Sequence, residues 1–199
     1  MNLVTCVRAT LLVSTLILCS SCAEFEAQMN AGNRSLTNAV KVASGEKPDS
    51  GYWNGDGGSG SPKIVVNLTD QRARFFKGSK VVGESTISTG KPGFETPPGH
   101  YTVIQKDENH VSSEFGDYVS SSGEVVKSNV DCRKDSAPAG SHFSGARMPF
   151  FMRFRGGYGM HAGYVPKYRA SHGCIRMPIS MVKHFFDAAS EGTPVIVKE

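Results

Sequence analysis

His161 and the segment Ser171-His172-Gly173-Cys174-Ile175-Arg176-Met177 hold the residue types of a thiol acyl-transfer site. A cysteine nucleophile needs a base within hydrogen-bond reach, and a histidine is the side chain best matched to that task near neutral pH. Cys174 is the candidate nucleophile and His161 the candidate base. Gly173 allows close backbone approach, so its amide and that of Cys174 are candidates to hold the oxyanion of a tetrahedral intermediate. Ser171, His172 and Arg176 complete the candidate oxyanion and substrate pocket, with His172 and Arg176 adding positive character that favours a thiolate. No Asp or Glu lies between His161 and Cys174. The imidazole tautomer is therefore expected to be set by a backbone carbonyl, that of Ala162, rather than by a carboxylate. Other readings of the same residues stay open. A single Cys is more often a small buried hydrophobe than a nucleophile, and His161, His172 and Cys174 are also zinc-ligand types, although no fourth partner stands out.

The surrounding pattern is that of a mostly β domain. Lys63 to Thr69 is rich in β-branched residues and reads as a strand; Asp70-Gln71 turn it into Arg72–Lys77, and Gly78-Ser79 turn that into a third strand over 80–89. Further strands are expected over 100–105, 149–154 and 158–161, and a last one over 194–198. Pro178 suits a first helical position, and Ile179, Val182, Phe186 and Ala189 fall on one face, so one helix is expected directly after Cys174, ended by Gly192. Its free first-turn amides would favour the Cys174 thiolate. Residues 106–148 read as a polar, irregular insertion with a hairpin at 121–123, in the manner of a lid. The expected architecture is a β-sandwich or small barrel with one packed C-terminal helix.

The N-terminus reads differently. Arg8, the apolar run Ala9–Cys19 and small residues before Cys22 form an export signal over 1–22. Cys22 is a candidate lipidation site, which would tether the chain to a membrane surface without a spanning helix. Residues 23–61 read as a flexible tether, with a short helix over 30–44 and with Tyr52 and Trp53 as solvated linker aromatics. Residues 62–198 then form the catalytic domain. Loss of the signal and lipidation would leave Cys132 and Cys174, which in an exported protein could pair as a disulfide. A net charge of +4, with Lys and Arg scattered, gives no nucleic-acid footprint.

The His161 and Ser171–Met177 pattern, with the upstream segment Thr96-Pro97-Pro98-Gly99-His100-Tyr101-Thr102-Val103, resembles the bacterial L,D-transpeptidase (YkuD-type) catalytic domain. The resemblance covers roughly 62–198. It implies Cys174 as nucleophile and His161 as general base and acid, with no metal or nucleotide cofactor. It implies peptidoglycan stem peptides as partners. Cys174 would attack the third-residue carbonyl of a tetrapeptide stem, release D-Ala, and pass the acyl group to an amine of a second stem. Two rivals are an L,D-carboxypeptidase, in which water resolves the thioester, and a non-catalytic wall-binding lipoprotein. The implied location is the periplasm or cell envelope.

Overall fold

A computed structural model describes residues 50–55, 58–166 and 168–199. The proposed signal, Cys22 and the helix over 30–44 lie outside them. Among the described residues no helix is long and apolar enough to cross a membrane.

Three sheets and one helix make up the domain. The first contains β1 (Gly51–Trp53), β2 (Pro62–Asn67), β3 (Arg72–Lys77), β4 (Lys80–Thr86), β5 (Gly99–Thr102) and β13 (Pro194–Lys198), in the order β1-β4-β3-β2-β13-β5. The second holds β6 (Gln105–Asp107), β10 (Phe151–Arg155), β11 (Tyr158–Ala162) and β12 (Ile175–Met177), ordered β12-β11-β10-β6. A third, over β7 (Val111–Ser120), β8 (Val125–Asp131) and β9 (Ser141–Arg147), is ordered β8-β7-β9. The helix α1 spans Ile179–Ala188.

Alternation along the strands makes the core. Ile64 and Val66 of β2, Val195 and Val197 of β13, and Phe75 of β3 point inward from the first sheet. Met152, Phe154, Met160, Ile175 and Met177 do so from the second, and Met181, Val182 and Phe185 from α1. Each such side chain, fully withdrawn from water, contributes on the order of 1.5–3 kcal/mol. The domain is thus mostly strand with a single packed helix, as the pattern implies.

Three expectations need correction. Trp53 is not a solvated linker aromatic. It lies in β1, which pairs with β4 at Trp53↔Gly83, and its ring packs edge-on to Phe75 at 5.3 Å and stacks on His184 at 5.2 Å. Gly83 makes the room: a Cβ there would come 2.4 Å from the Trp53 ring. The single strand expected over 100–105 is two, because the chain changes sheets in mid-run. The Val103 amide bonds Thr193 O and the Ile104 amide bonds Arg153 O. And residues 111–147 are not irregular but a three-stranded sheet, with the 121–123 turn where expected. Most of β8 is exposed, so neither face carries the apolar alternation that marks a strand.

Candidate active site

The register of the second sheet sorts its residues onto two faces. Met160 pairs with Ile175 and His161 with Arg176, while Arg153 pairs with Gly159. Because side chains alternate along a strand, Met152, Met160 and Ile175 enter the core, whereas Phe151, Arg153, His161 and Arg176 share the opposite face. Cys174, two positions before Arg176, projects to that face as well. The result is a cleft of about 630 Å³ lined by Cys174, His161, Ser171, His172 and Arg176, and roofed in part by Phe115 of the third sheet. The residues singled out from the sequence meet in one place, with Gly173 buried in the loop beneath.

The loop carrying Cys174 is zipped to the segment 88–91. Ser88 and Arg176 exchange backbone hydrogen bonds of 3.0 and 2.9 Å, the Ala170 and Ser171 amides both donate to Thr89 O, and the Lys91 amide donates to Ser171 O. Gln71 holds that segment from behind, its Nε2 donating to Thr89 Oγ1 and its Oε1 accepting from the Thr89 amide. Inside the loop, Ser171 Oγ accepts from the Gly173 amide at 3.0 Å and donates to Cys174 O. Gly173 has φ +113°, and a Cβ on it would sit 2.7 Å from the Tyr158 ring, so both conformation and space require glycine. Its amide donates to Ser171 Oγ in this state, so its evident part in the loop is conformational. Thr96, buried, gives the upstream motif a physical role: its hydroxyl donates to Gly173 O at 2.7 Å and accepts from the Gly90 amide at 3.0 Å.

The helix begins near Pro178 as expected, but Cys174 does not stand directly at its start. β12 follows Cys174, and α1 begins at Ile179 with Pro178 as its N-cap. The field of first-turn amides fades within a turn, so it does not prime the sulfur. Burial instead pushes the Cys174 thiol above its ordinary value, partly offset by the Gly159 backbone amide and by the Arg153 and Arg176 guanidinium groups. The Sγ donates weakly to Gly157 O at 3.4 Å. His161 moves the other way. It is 6% exposed, and that burial lowers it to about 4, with Arg176 and His110 adding to the effect and the Ala162 carbonyl opposing it. Its Nδ1 lies 2.8 Å from Ala162 O. A carbonyl only accepts, so Nδ1 carries the hydrogen and Nε2 keeps its lone pair. The cleft therefore holds a neutral thiol and a neutral imidazole with a free Nε2 lone pair, rather than a preformed thiolate. Cys132 and Cys174 are both free thiols. Among the described residues no cluster of three or more His, Cys, Asp or Glu could hold a metal ion.

His172 faces the third sheet. Its ring stacks on Phe115 at 4.5 Å and 9° and meets Phe94 edge-on at 4.8 Å, while Lys91 Nζ donates to its Nε2 at 3.1 Å. Burial and then the Lys91 charge lower its pKa, which keeps it a neutral acceptor and not a second base. Sequence reasoning missed Phe115, Arg153 and His110. His110 stacks on Phe151 at 4.2 Å and bonds Asp107 at 3.0 Å beside the cleft. Only the two-residue spacing of Phe151, Arg153 and Arg155 hinted that Arg153 shares a face with the site.

The family model of the L,D-transpeptidase catalytic domain (YkuD) matches residues 61–197. A relative from Bacillus subtilis (strain 168), the L,D-transpeptidase candidate YqjB, is 28% identical over 146 residues, covering 70% of this chain and 73% of its own. Among solved structures, an L,D-transpeptidase from Mycobacterium smegmatis superposes with a TM-score of 0.54 at 20% identity, over 70% of this chain and 59% of that one. One from Enterococcus faecium, a cysteine-to-serine mutant, does so with a TM-score of 0.50 at 26% identity, over 70% of this chain and 50% of that one.

Proposed function

Since the chain belongs to the L,D-transpeptidase (YkuD) catalytic domain family, whose members act on peptidoglycan stem peptides, we propose that it cross-links peptidoglycan through a Cys174 thioester. The observation that carries this reading is the pairing on one cleft face of a Cys174 thiol with a His161 imidazole whose Nδ1–H is fixed on Ala162 O. The chain spans about three fifths of the M. smegmatis structure and half of the E. faecium one, so acceptor and partners are part of the proposal.

In the proposed sequence His161 Nε2 takes the thiol proton as Sγ attacks the carbonyl of the third residue of a tetrapeptide stem. Because burial raises the thiol and lowers the imidazole, proton removal accompanies attack instead of preceding it. The Cys174 amide stabilises the oxyanion, in a loop whose shape Ser171, Gly173 and Thr96 hold. Collapse breaks the C–N bond, and the imidazolium returns its proton to the departing D-Ala amine. The amine of a second stem then attacks the thioester, losing its proton to His161, and the expelled thiolate is reprotonated. His172 and Arg176 border the path of the stem. A wall substrate is consistent with export through residues 1–22 to the periplasm or envelope and with an anchor at Cys22.

The test is to incubate the full chain, and its Cys174→Ala variant, with a purified disaccharide-tetrapeptide and to follow products by mass spectrometry. A dimer lacking one D-Ala supports transfer. Tripeptide alone points to hydrolysis by water. Equal turnover by Cys174→Ala would overturn the cysteine mechanism.

A further inference from the structure

Arg153 is a guanidinium whose hydrogen-bond partners are neutral. It stands on the cleft face of β10, half-buried. Its Nε donates to Gln105 Oε1 at 2.7 Å and its Nη1 to Gly156 O at 2.6 Å. The group also lies over the Phe151 ring, 5.0 Å from the centroid. These contacts fix its orientation and leave its other N–H groups for a ligand. Asp107 shares this face and feels the Arg153 charge, but its carboxylate is turned to His110 Nδ1, and among the described residues no ion pair engages Arg153. The contrast within the same cleft is Arg133, whose charge is already met by Asp131 and Glu114, each at 2.8 Å. A partly desolvated, oriented guanidinium with no ion pair of its own is a ready site for a carboxylate.

Its place relative to the nucleophile says which carboxylate. Arg153 pairs with Gly159 from one side of β11, and Cys174, one residue before the Met160↔Ile175 pair, meets the Gly159 amide from the other. Both are tied to the same turn, Arg153 at Gly156 O and Cys174 at Gly157 O. Of the two cleft arginines without an ion pair among the described residues, Arg153 acts more strongly on the Cys174 thiol, whereas Arg176, opposite His161, is the one that acts on the imidazole. One residue past a scissile carbonyl, the chain advances about 3.8 Å between Cα atoms. An anion site beside the sulfur therefore meets the terminal carboxylate of a leaving residue that is the last of its peptide.

We propose that Arg153 is a specificity-determining residue that binds the free C-terminal carboxylate of the donor stem and so restricts the enzyme to peptides ending one residue beyond the scissile bond. This rests on the transpeptidase reading above, and binding to an inactive protein keeps the two separable. In the full chain carrying Cys174→Ala, titration calorimetry compares a tetrapeptide stem with its C-terminal carboxamide. The acid should bind about 100-fold more tightly than the amide, the scale of a charge-assisted pair lost from a desolvated site. Adding Arg153→Gln should bring the two within about 3-fold, and Arg153→Lys, which keeps the charge but not the fork, should leave an intermediate preference. With Cys174 intact, kcat/KM for acid against amide should follow the same order. Equal binding of acid and amide to the protein with Arg153 overturns the proposal. So does a preference that survives Arg153→Gln, or one that responds instead to amidation of the third residue's side-chain carboxylate. If the preference tracks Arg153 but the intact chain never turns the stem over, the transpeptidase reading falls and the carboxylate site stands.

Discussion

Acidification from pH 7 to pH 4.5 should cost this protein stability through His161 in particular. In the unfolded chain the imidazole has its ordinary value of 6.5, whereas in the fold burial lowers it to about 4. Between those values the unfolded state binds a proton that the folded state refuses, so stability is full above about 6.5 and is lost as pH falls toward 4. At about 1.4 kcal/mol per pH unit the whole interval is worth about 3 kcal/mol, and the part between pH 7 and 4.5 about 2 kcal/mol. The carboxylates held low by their partners, Asp107 by His110 and Asp131 by Arg133, add their own acid sensitivity, so a single curve does not isolate the histidine. The difference between the intact protein and His161→Gln does, because glutamine does not titrate and its absolute cost cancels in the slope. Urea unfolding of both proteins at several pH values should give stability curves that converge by about 2 kcal/mol on going from pH 7 to 4.5. Parallel curves would mean that His161 titrates alike in the folded and unfolded chains, and the base assignment drawn from its burial and its Ala162 bond would go with it.

The same histidine sets an acid limb: kcat/KM should stay level down to about pH 5 and fall with a midpoint near 4, and a midpoint near 6.5 would contradict the buried imidazole. Thr96→Val removes the hydroxyl that joins Gly90 to Gly173 and leaves two buried backbone groups unpaired. It should lower stability by about 1–3 kcal/mol in urea unfolding and reduce kcat more than KM is raised. A chain begun at Pro62 lacks β1 and the Trp53 contacts with Phe75 and Phe185. It should unfold about 3–5 kcal/mol more easily than one begun at Asp49, the range for deleting a packed large aromatic; equal stability would show β1 to be dispensable. Phe115→Ala removes the stack on His172 and should open the cleft to water, raising the ratio of tripeptide to dimer in the mass-spectrometric assay without abolishing thioester formation.

Most strands of the two core sheets, β2, β3, β4, β10, β11 and β13 among them, were legible because their chemistry is local. Alternating apolar residues such as Ile64 and Val66 bury one face of a pleat whatever lies beyond it, and the turns at Asp70-Gln71 and Gly78-Ser79 announce themselves by residue type. His161 and the Ser171–Cys174 segment of the site stood out in the same way, because a thiol nucleophile needs a base and a loop of small residues. What lay beyond local pattern was long-range. Trp53 reads as a linker aromatic until Gly83, thirty residues on, leaves room for it. The polar lid sheet carries no burial pattern, since most of β8 has solvent on both sides. The break at Val103–Ile104 exists because the chain leaves one sheet for another.

The electrostatics of the pair show the same division. The residue types named Cys174 and His161, but the sequence suggested a thiolate primed by a helix. Three residues of β12 intervene before α1, and desolvation, a property of the assembled cleft, drives both groups toward their neutral forms. Arg153 was one cation among many in the sequence. Only the register that sets it beside Gly159 and near Cys174, with no carboxylate paired to it among the described residues, makes it a site, because charge recognition depends on which groups face each other and which remain unpaired.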